Sequence, residues 1–142
     1  MPVVRKLFAE YQLDLGFDLG FQSFQQELDG LPGKYGPPKG AILLAEEGGE
    51  VAAGAAIRDL GDGICEIKRL YVRPPFRRRG LAKSISIALI HRARELGYER
   101  VRLDTLRRLT GALELYLALG FEEIPAYNFS PMPDIIYLER RI

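Results

Sequence analysis

The stretch Arg77-Arg78-Arg79-Gly80-Leu81-Ala82-Lys83 decides the fold of this 142-residue chain, because it joins a strand-like run to a helical one. The strand-like run is Ile64–Val72, which Pro74 and Pro75 bring to an end. After the turn, apolar residues recur at helical spacing as far as Gly97, a residue type that commonly ends a helix. The first amide groups of a helix have no partner inside it, so a helix that begins at a basic, glycine-containing turn can bind an anion.

The segments before this turn predict two helices and three strands. Apolar stripes at spacings of three and four residues predict amphipathic helices over Val4–Tyr11 and from Phe17 to Leu28. Residues 31–40 contain three Pro and three Gly and are therefore predicted as a loop. Short turn-forming stretches then separate three strands of an antiparallel meander, over Ala41–Glu46, Val51–Leu60 and Ile64–Val72.

The segments after the turn continue the alternation of helix and strand. They are predicted as a helix from Leu81 to Leu96, a strand over Val101–Thr105, a helix over Leu109–Leu119 and a strand over Ile135–Leu138. The order α-α-β-β-β-α-β-α-β predicts an α/β (α+β) fold. No repeat or low-complexity linker divides the chain, so residues 1–142 are expected to form one domain.

Composition and cysteine content exclude several classes of protein. With 47% hydrophobic and 27% charged residues, the chain has the composition of a globular domain. The single Cys65 cannot form an intramolecular disulfide, and the single His91 leaves no His and Cys ligand set for zinc, so no metal is expected. The sequence shows neither a signal peptide nor a run of ~20 uncharged apolar residues, and we therefore expect a cytoplasmic protein without a membrane partner.

The charges are unevenly distributed, although they nearly cancel to a formal net charge of +1. From Lys68 to Lys83 there are seven basic residues and no acidic one, whereas residues 1–60 hold nine acidic and five basic residues. This distribution predicts a polyanion site beside an acidic surface. Arginines at a strand–helix junction suit a compact polyphosphate better than nucleic acid, which favours a longer basic face with interleaved aromatic residues. No nucleic-acid partner is therefore expected, although composition alone leaves a solvated or nucleic-acid-facing patch open.

Two common phosphate-binding motifs are not met by this turn. The Lys83-Ser84 pair is typical of a P-loop, but Ala82 stands where that motif requires Gly. No predicted strand is followed by the G-x-G-x-x-G pattern of a dinucleotide-binding fold. The anion site must therefore belong to another class of fold.

Three sequence signals occur in an order that identifies a family. Arg77, Gly80 and Ala82 meet the pattern Q/R-x-x-G-x-G/A, which follows the strand run and precedes Leu115-Tyr-Leu-Ala-Leu-Gly-Phe121. On these signals the sequence resembles the GCN5-related N-acetyltransferase (GNAT) superfamily over most of its length. The resemblance implies a mixed, mostly antiparallel sheet flanked by helices, with a splayed central strand pair. Family members usually begin with a strand, whereas this chain begins with a helical pattern, so the first family strand is expected to be missing.

The resemblance implies that acetyl-CoA binds in the splay as a co-substrate. Backbone groups of Leu70, Tyr71 and Val72 would meet the pantetheine arm. Main-chain amides of the basic turn would hold the pyrophosphate, with the residues Arg77, Arg78, Arg79, Gly80, Leu81, Ala82 and Lys83. The implied activity is transfer of an acetyl group to a primary amine, directly in a ternary complex. The alternative is a non-catalytic acyl-CoA-binding module.

The resemblance also implies two catalytic groups, each of which has a structural alternative. Glu66 lies where some members carry a glutamate general base, and the alternative is an ion pair with Lys68 on the same strand face. Tyr116 matches the family tyrosine that acts as general acid toward the CoA sulfur, and the alternative is core packing. Many members carry Asn at the position of Leu109, so the role of that amide is not carried over. Cys65 is expected to be a buried structural thiol rather than a nucleophile.

The acceptor cleft is bounded, in this family, by regions that correspond here to the acidic first half, the loop around Tyr35 and the segment 126–129. Tyr35 and Tyr127 are therefore the predicted substrate-binding residues, for a small-molecule or a protein amine. The acidity slightly favours a cationic amine. A missing first strand would leave the edge of the strand Ala41–Glu46 open, which would allow a homodimer.

Overall fold

The computed structural model describes residues 2–15, 24–128, 130 and 132–142. The helices are α1 (Pro2–Leu15), α2 (Phe24–Asp29), α3 (Leu81–Glu95) and α4 (Thr110–Ala118). The strands are β1 (Ala41–Glu47), β2 (Glu50–Gly61), β3 (Ile64–Val72), β4 (Arg100–Leu106), β5 (Glu122–Ile124) and β6 (Ile135–Arg141). Short 3₁₀ turns occupy Gly33–Tyr35 and Pro74–Phe76. In this part of the chain, no helix is both long enough and apolar enough to span a bilayer.

The strands form one mixed sheet in the order β1-β2-β3-β4-β6-β5. All neighbours are antiparallel except β3 and β4, which run parallel. These two strands pair only over Ile64–Glu66 and Arg100–Arg102, and beyond that point they separate. The predicted mostly antiparallel sheet with a splayed central pair is therefore confirmed. The first element along the described chain is a helix, as the opening sequence pattern predicts.

A β-bulge in β3 lies just beyond the last residues that pair with β4. Ala56 of β2 lies opposite Lys68, but Gly54, two residues earlier, lies opposite Tyr71, three residues later. The bulge contains Arg69, whose φ of 63° lies in the left-handed region. Residues other than glycine rarely adopt this backbone conformation. A bulge increases local twist and bends its strand, which turns β3 away from β4.

The two faces of the sheet carry different chemistry at its centre. Cys65 and Ile67 of β3 and Leu103 of β4 join an apolar core with α3 and α4. Because side chains alternate along a strand, Lys68 and Asp104 lie on the opposite face, which α1 and α2 cover. The splay thus places polar residues beneath the first two helices and apolar residues beneath the last two.

Two features of the fold differ from the sequence expectation. The second predicted helix begins in residues 16–23, which lie outside the described residues, and its described part is α2. The strand β5 was not predicted, because three residues are too few to show an alternating pattern.

Close packing of α1 depends on Gly54 of β2, where a Cβ would collide with the Leu7 side chain.

Candidate functional site

The separation of β3 and β4 opens a cleft of about 680 Å³. Its walls come from α1, the second half of β3, the basic turn with the start of α3, the second half of β4, α4 and the segment before β6. Nine of the ten predicted cofactor-binding residues and Tyr116 line it, but Arg79, Glu66, Tyr35 and Tyr127 do not. The cleft therefore joins the anion-binding turn to the middle of the sheet.

The basic turn presents main-chain amides to the cleft. Gly80 caps α3 with a left-handed φ of 78°, which glycine adopts without strain. The first helical bond runs from the Ser84 amide to the Gly80 carbonyl at 3.0 Å, so the amides of residues 81–83 precede any helical acceptor. Among the described residues, no side chain caps this end of α3. The arrangement is an anion cradle at the positive end of the helix dipole.

The basic side chains of the turn have different surroundings. Arg78 and Lys83 line the cleft. The Arg77 guanidinium also lines it, but it folds back, donating to the Val72 carbonyl at 2.9 Å and lying 3.2 Å from Asp14. Arg79 points elsewhere and pairs with Glu47 at 2.7 Å. The groups that can contact an anion in this structure are therefore the amides of residues 81–83 and the side chains of Arg78 and Lys83. The Arg79 side chain cannot.

Acidic residues of the first half of the chain form ion pairs with the basic residues of the Lys68–Lys83 segment, the basic centre. Four ion pairs join the two regions, namely Glu10–Arg73, Asp14–Arg77, Glu27–Arg69 and Glu47–Arg79. The Glu27–Arg69 pair is the most buried, with 5% and 1% of the side chains exposed. Four of the nine acidic residues are thus paired with the basic centre, and these four do not form an open acidic wall for a cationic acceptor.

Glu66 is fully buried, and both of its carboxylate oxygens are bonded. Arg58, directly opposite on β2, donates its Nε–H at 2.8 Å. The Tyr127 hydroxyl donates to the other oxygen at 2.5 Å. The structural alternative for Glu66 named Lys68 as its partner, but Lys68 instead lies 3.9 Å from Asp104. Glu66 thus connects β2, β3 and the segment between β5 and β6.

Asp104 is a second carboxyl group at the splay, and it lines the cleft. Only 18% of its side chain is exposed. Burial raises the pKa of this carboxyl and the charge of Glu66 raises it further, against the opposing effect of Lys68. Asp104 was not predicted from the sequence, although an acidic residue directly after the apolar Leu103 in a predicted inner strand is itself a signal.

Tyr116 reaches the cleft from α4, on the other side of the sheet from Asp104. Its side chain is 5% exposed, and its ring packs edge-on against Phe121 at a centroid distance of 5.7 Å. Burial raises the pKa of this hydroxyl, and the charges of Tyr11 and Asp104 raise it further. The phenol is therefore protonated at neutral pH and able to donate.

The two predicted acceptor-binding tyrosines lie behind the cleft rather than in its lining. Tyr35 is 1% exposed, packs edge-on against Phe8 and donates its hydroxyl to Glu27 at 2.8 Å. The structure corrects its predicted position, because the loop folds this ring inward into the core under α1. Tyr127 binds Glu66 and belongs to the segment whose Ser130 and Met132 do line the cleft.

The remaining reactive side chains lie away from the cleft. Burial raises the pKa of the Cys65 thiol to about 12, which leaves it protonated and unreactive at neutral pH. His91 is exposed on α3. Among the described residues, no three His, Cys, Asp or Glu side chains are grouped as a metal site.

An amide cradle, a splayed strand pair, and a carboxyl and a phenol that line the cleft from opposite faces of the sheet define the class of protein. The family model described as "Acetyltransferase (GNAT) family" matches residues 4–121, and the chain belongs to this family. An uncharacterized N-acetyltransferase of Schizosaccharomyces pombe is 38% identical over 136 residues, covering 94% of this chain and 83% of that protein.

Solved structures share the fold. An acetyltransferase of Streptococcus agalactiae superposes with a TM-score of 0.82 at 18% identity, over 100% of this chain and 93% of that one. A GNAT family acetyltransferase of Elizabethkingia anophelis, solved with acetyl-CoA bound, superposes with a TM-score of 0.64 at 20% identity, over 73% of this chain and 77% of that one. The architecture is thus the fold of GNAT acetyltransferases.

Proposed function

We propose that this protein is an acetyl-CoA-dependent N-acetyltransferase that moves the acetyl group directly to a primary amine in a ternary complex. The observation that carries the proposal is that one cleft joins the α3 amide cradle to Asp104 and Tyr116, which approach the splay from opposite faces. A cofactor site alone would need only the first of these features. Direct transfer is favoured because the chain's one thiol, Cys65, is buried and stays protonated.

Acetyl-CoA would lie along the splay. The amides of residues 81–83 would bind the pyrophosphate, supported by the charges of Arg78 and Lys83. Backbone groups of Leu70–Val72 line the same cleft and would pair with the pantetheine amides, in place of the strand partner that β4 no longer provides. This arrangement would bring the thioester to the middle of the sheet.

We assign the general base to Asp104 in preference to Glu66. Both oxygens of Glu66 already accept hydrogen bonds, and its side chain has no exposed surface. Asp104 lines the cleft, and its raised pKa makes it a stronger base than an ordinary aspartate. Glu66 and Tyr127 instead position the segment that carries Ser130 and Met132.

The reaction then proceeds with each proton accounted for. The amine nitrogen attacks the thioester carbonyl carbon, and its surplus proton passes to the Asp104 carboxylate. The tetrahedral intermediate collapses with cleavage of the C–S bond, and Tyr116 donates its hydroxyl proton to the leaving CoA sulfur. Asp104 and Tyr116 return to their starting states when solvent removes one proton and supplies the other.

The proposal is tested by CoA release from acetyl-CoA in the presence of a panel of amines. Asp104→Asn and Tyr116→Phe should each lower kcat by about 10²-fold, the usual scale for a positioned acid or base, with little change in acetyl-CoA affinity. Asp59→Asn and Tyr98→Phe are matched controls, because both residues lie outside the cleft lining. Acetyl-CoA binding without turnover of any amine would instead identify a non-catalytic acyl-CoA-binding module.

A further inference from the structure

Tyr11 is a titratable side chain of the cleft that the reaction described above does not use, and the inference drawn from it rests on that proposed function. It belongs to α1 and lines the cleft together with Asp104 and Tyr116. The three groups also interact electrostatically. The charge of Asp104 acts on the Tyr11 hydroxyl, and the charges of Tyr11 and Asp104 act on the Tyr116 hydroxyl. Two hydroxyls and one carboxyl therefore lie in the same part of the cleft.

The ring of Tyr11 contacts β3 at the bulge. It packs edge-on against Tyr71 at a centroid distance of 6.4 Å, and the guanidinium carbon of Arg69 lies 5.8 Å from its centroid. The residue before Arg69 is Lys68, whose Nζ lies 3.9 Å from a carboxylate oxygen of Asp104 on β4. Tyr11 is therefore on the β3 side of the splay, and Asp104 is on the β4 side at the same level.

The surroundings of the Tyr11 hydroxyl make it a hydrogen-bond donor. Burial raises its pKa, the charge and hydrogen bonding of Arg69 oppose the rise, and the charge of Asp104 adds to it, so the phenol is protonated at neutral pH. A guanidinium can only donate, so Arg69 meets the oxygen of the phenol and not its hydrogen. Arg69 is itself fixed by two bonds to Glu27, at 2.9 and 3.0 Å. A phenol beside a fixed guanidinium donates more strongly, because the cation stabilises the charge that donation leaves on oxygen.

The proposed reaction leaves one developing charge without a partner. Asp104 receives the amine proton and Tyr116 protonates the sulfur, but attack on the thioester also places a negative charge on the carbonyl oxygen. A hydrogen-bond donor aimed at such an oxyanion is among the largest contributions to acyl transfer. Tyr11 contacts Tyr71, in the middle of the Leu70–Val72 segment whose backbone would hold the pantetheine arm. Its hydroxyl thus lies on the side of the thioester that neither of the other two groups occupies.

We propose that Tyr11 is a third catalytic residue, whose hydroxyl donates a hydrogen bond to the thioester carbonyl oxygen and stabilises the negative charge that this oxygen acquires during attack. No proton is transferred in this step. The hydrogen bond strengthens as the tetrahedral intermediate forms, and it weakens when cleavage of the C–S bond restores the C=O double bond. Arg69 is a positioning residue, because it acts on the oxygen through Tyr11.

A binding comparison tests this contact without turnover. The ketone analogue of acetyl-CoA, in which a methylene replaces the sulfur, keeps the carbonyl oxygen but cannot be cleaved, whereas S-ethyl-CoA lacks that oxygen. The ratio of the two dissociation constants should change by about 3- to 10-fold against the ketone in Tyr11→Phe, the range for one neutral hydrogen bond. S-ethyl-CoA should bind the variant and the wild type alike, which also shows that the variant is folded. Tyr98→Phe is the matched control, because its hydroxyl bonds the Lys39 carbonyl outside the cleft lining.

Kinetics then distinguishes the possible roles of Tyr11. Tyr11→Phe should lower kcat by about 10²-fold with the acceptor KM nearly unchanged, the scale for loss of one oxyanion donor. An unchanged ratio of the two dissociation constants overturns the inference and leaves the proposed function standing, as does equal weakening of both analogues, since Tyr11 would then only support the fold. A rise in acceptor KM alone also overturns it, because Tyr11 would then bind the amine. A ratio that depends on Tyr11 supports the contact even if no amine is acetylated, so failure of the proposed function is seen separately.

Discussion

Asp104 is held where its charge is disfavoured, and this has a consequence for stability. Burial raises its pKa in the folded state, so the native protein binds this proton more tightly than the unfolded chain does. The free energy of unfolding therefore falls as pH rises through the interval between the unfolded and folded pKa values. Asp104→Asn removes the charge, so we expect its Tm at pH 7.5 to exceed that of the wild type. The gain should vanish toward pH 4.

This comparison is a series of thermal scans from pH 4 to pH 8. A lower Tm for Asp104→Asn at neutral pH would show that the carboxylate stabilises the fold, and it would contradict the assignment of Asp104 as a base kept at a cost in stability. The variant serves both experiments, because the same substitution should lower kcat.

Residue roles were harder to predict from the sequence than residue positions. The basic turn could be recognised because its amides and charges are local to one stretch of chain. The partner of Glu66 could not, since Arg58 faces it only through the register between β2 and β3. Asp104 was missed for a similar reason, because its access to the cleft depends on where β3 and β4 separate. Tyr35 faces inward because its loop folds against α1, a contact made far along the chain.

The short helix α2 is fixed to the sheet through one buried ion pair. Glu27 accepts two bonds from Arg69 in the bulge of β3, a hydrogen bond from Tyr35, and lies 3.3 Å from Lys34. Burial acts to raise the pKa of Glu27, but the Arg69 bonds and charge outweigh it and hold the pKa below its usual value. The pair therefore contributes stability above the unfolded pKa of Glu27, and this contribution is lost as pH falls through the folded value.

Glu27→Gln should cost about 3 kcal/mol of unfolding free energy at neutral pH, because it leaves the Arg69 charge buried without a counter-charge. Urea unfolding gives the value. The matched control is Asp29→Asn on the same helix. Asp29 pairs with Arg5, whose side chain is 48% exposed, so loss of this pair should cause no measurable change in unfolding free energy. Equal small effects of both substitutions would show that α2 is held by Phe24 and Leu28 alone.

Most helices and strands could be predicted from the periodicity of the apolar residues. α1, α3 and α4 carry apolar stripes, and β1 to β3 are separated by glycine-containing turns, so each was predicted within a few residues. The three-residue β5 has too little sequence to show a period. The bulge at Arg69 gives no sequence signal either, because its left-handed backbone occurs at a residue type that rarely adopts it.

On the scale of the molecule, β1 and β5 are the outer strands of the sheet among the described residues. β1 pairs only with β2 and β5 pairs only with β6, within the part of the chain that the structure describes. Leu44 of β1 is 41% exposed. The homodimer expected from an open strand at Ala41–Glu46 stays a prediction, which sedimentation at several protein concentrations would test. An assembly through β1 would extend the sheet across two copies.

β3 and β4 pair over only three residues, so the rest of each strand has an unpaired edge facing the cleft when no CoA is bound. The pantetheine arm would pair with these edges in the way that a further strand does. CoA should therefore raise the onset temperature of aggregation and slow amide hydrogen exchange in residues 67–72 and 103–106. Saturation at 100 times Kd should stabilise the fold by about 2.7 kcal/mol. Adenosine 3′,5′-bisphosphate lacks the arm, and at equal fractional saturation it should leave those amides exchanging freely. Equal protection by both ligands would mean that the adenosine end rigidifies the sheet by itself. If the arm is required, then the co-substrate is for part of each catalytic cycle a piece of the scaffold, and every departure of CoA leaves the sheet open until the next acetyl-CoA arrives.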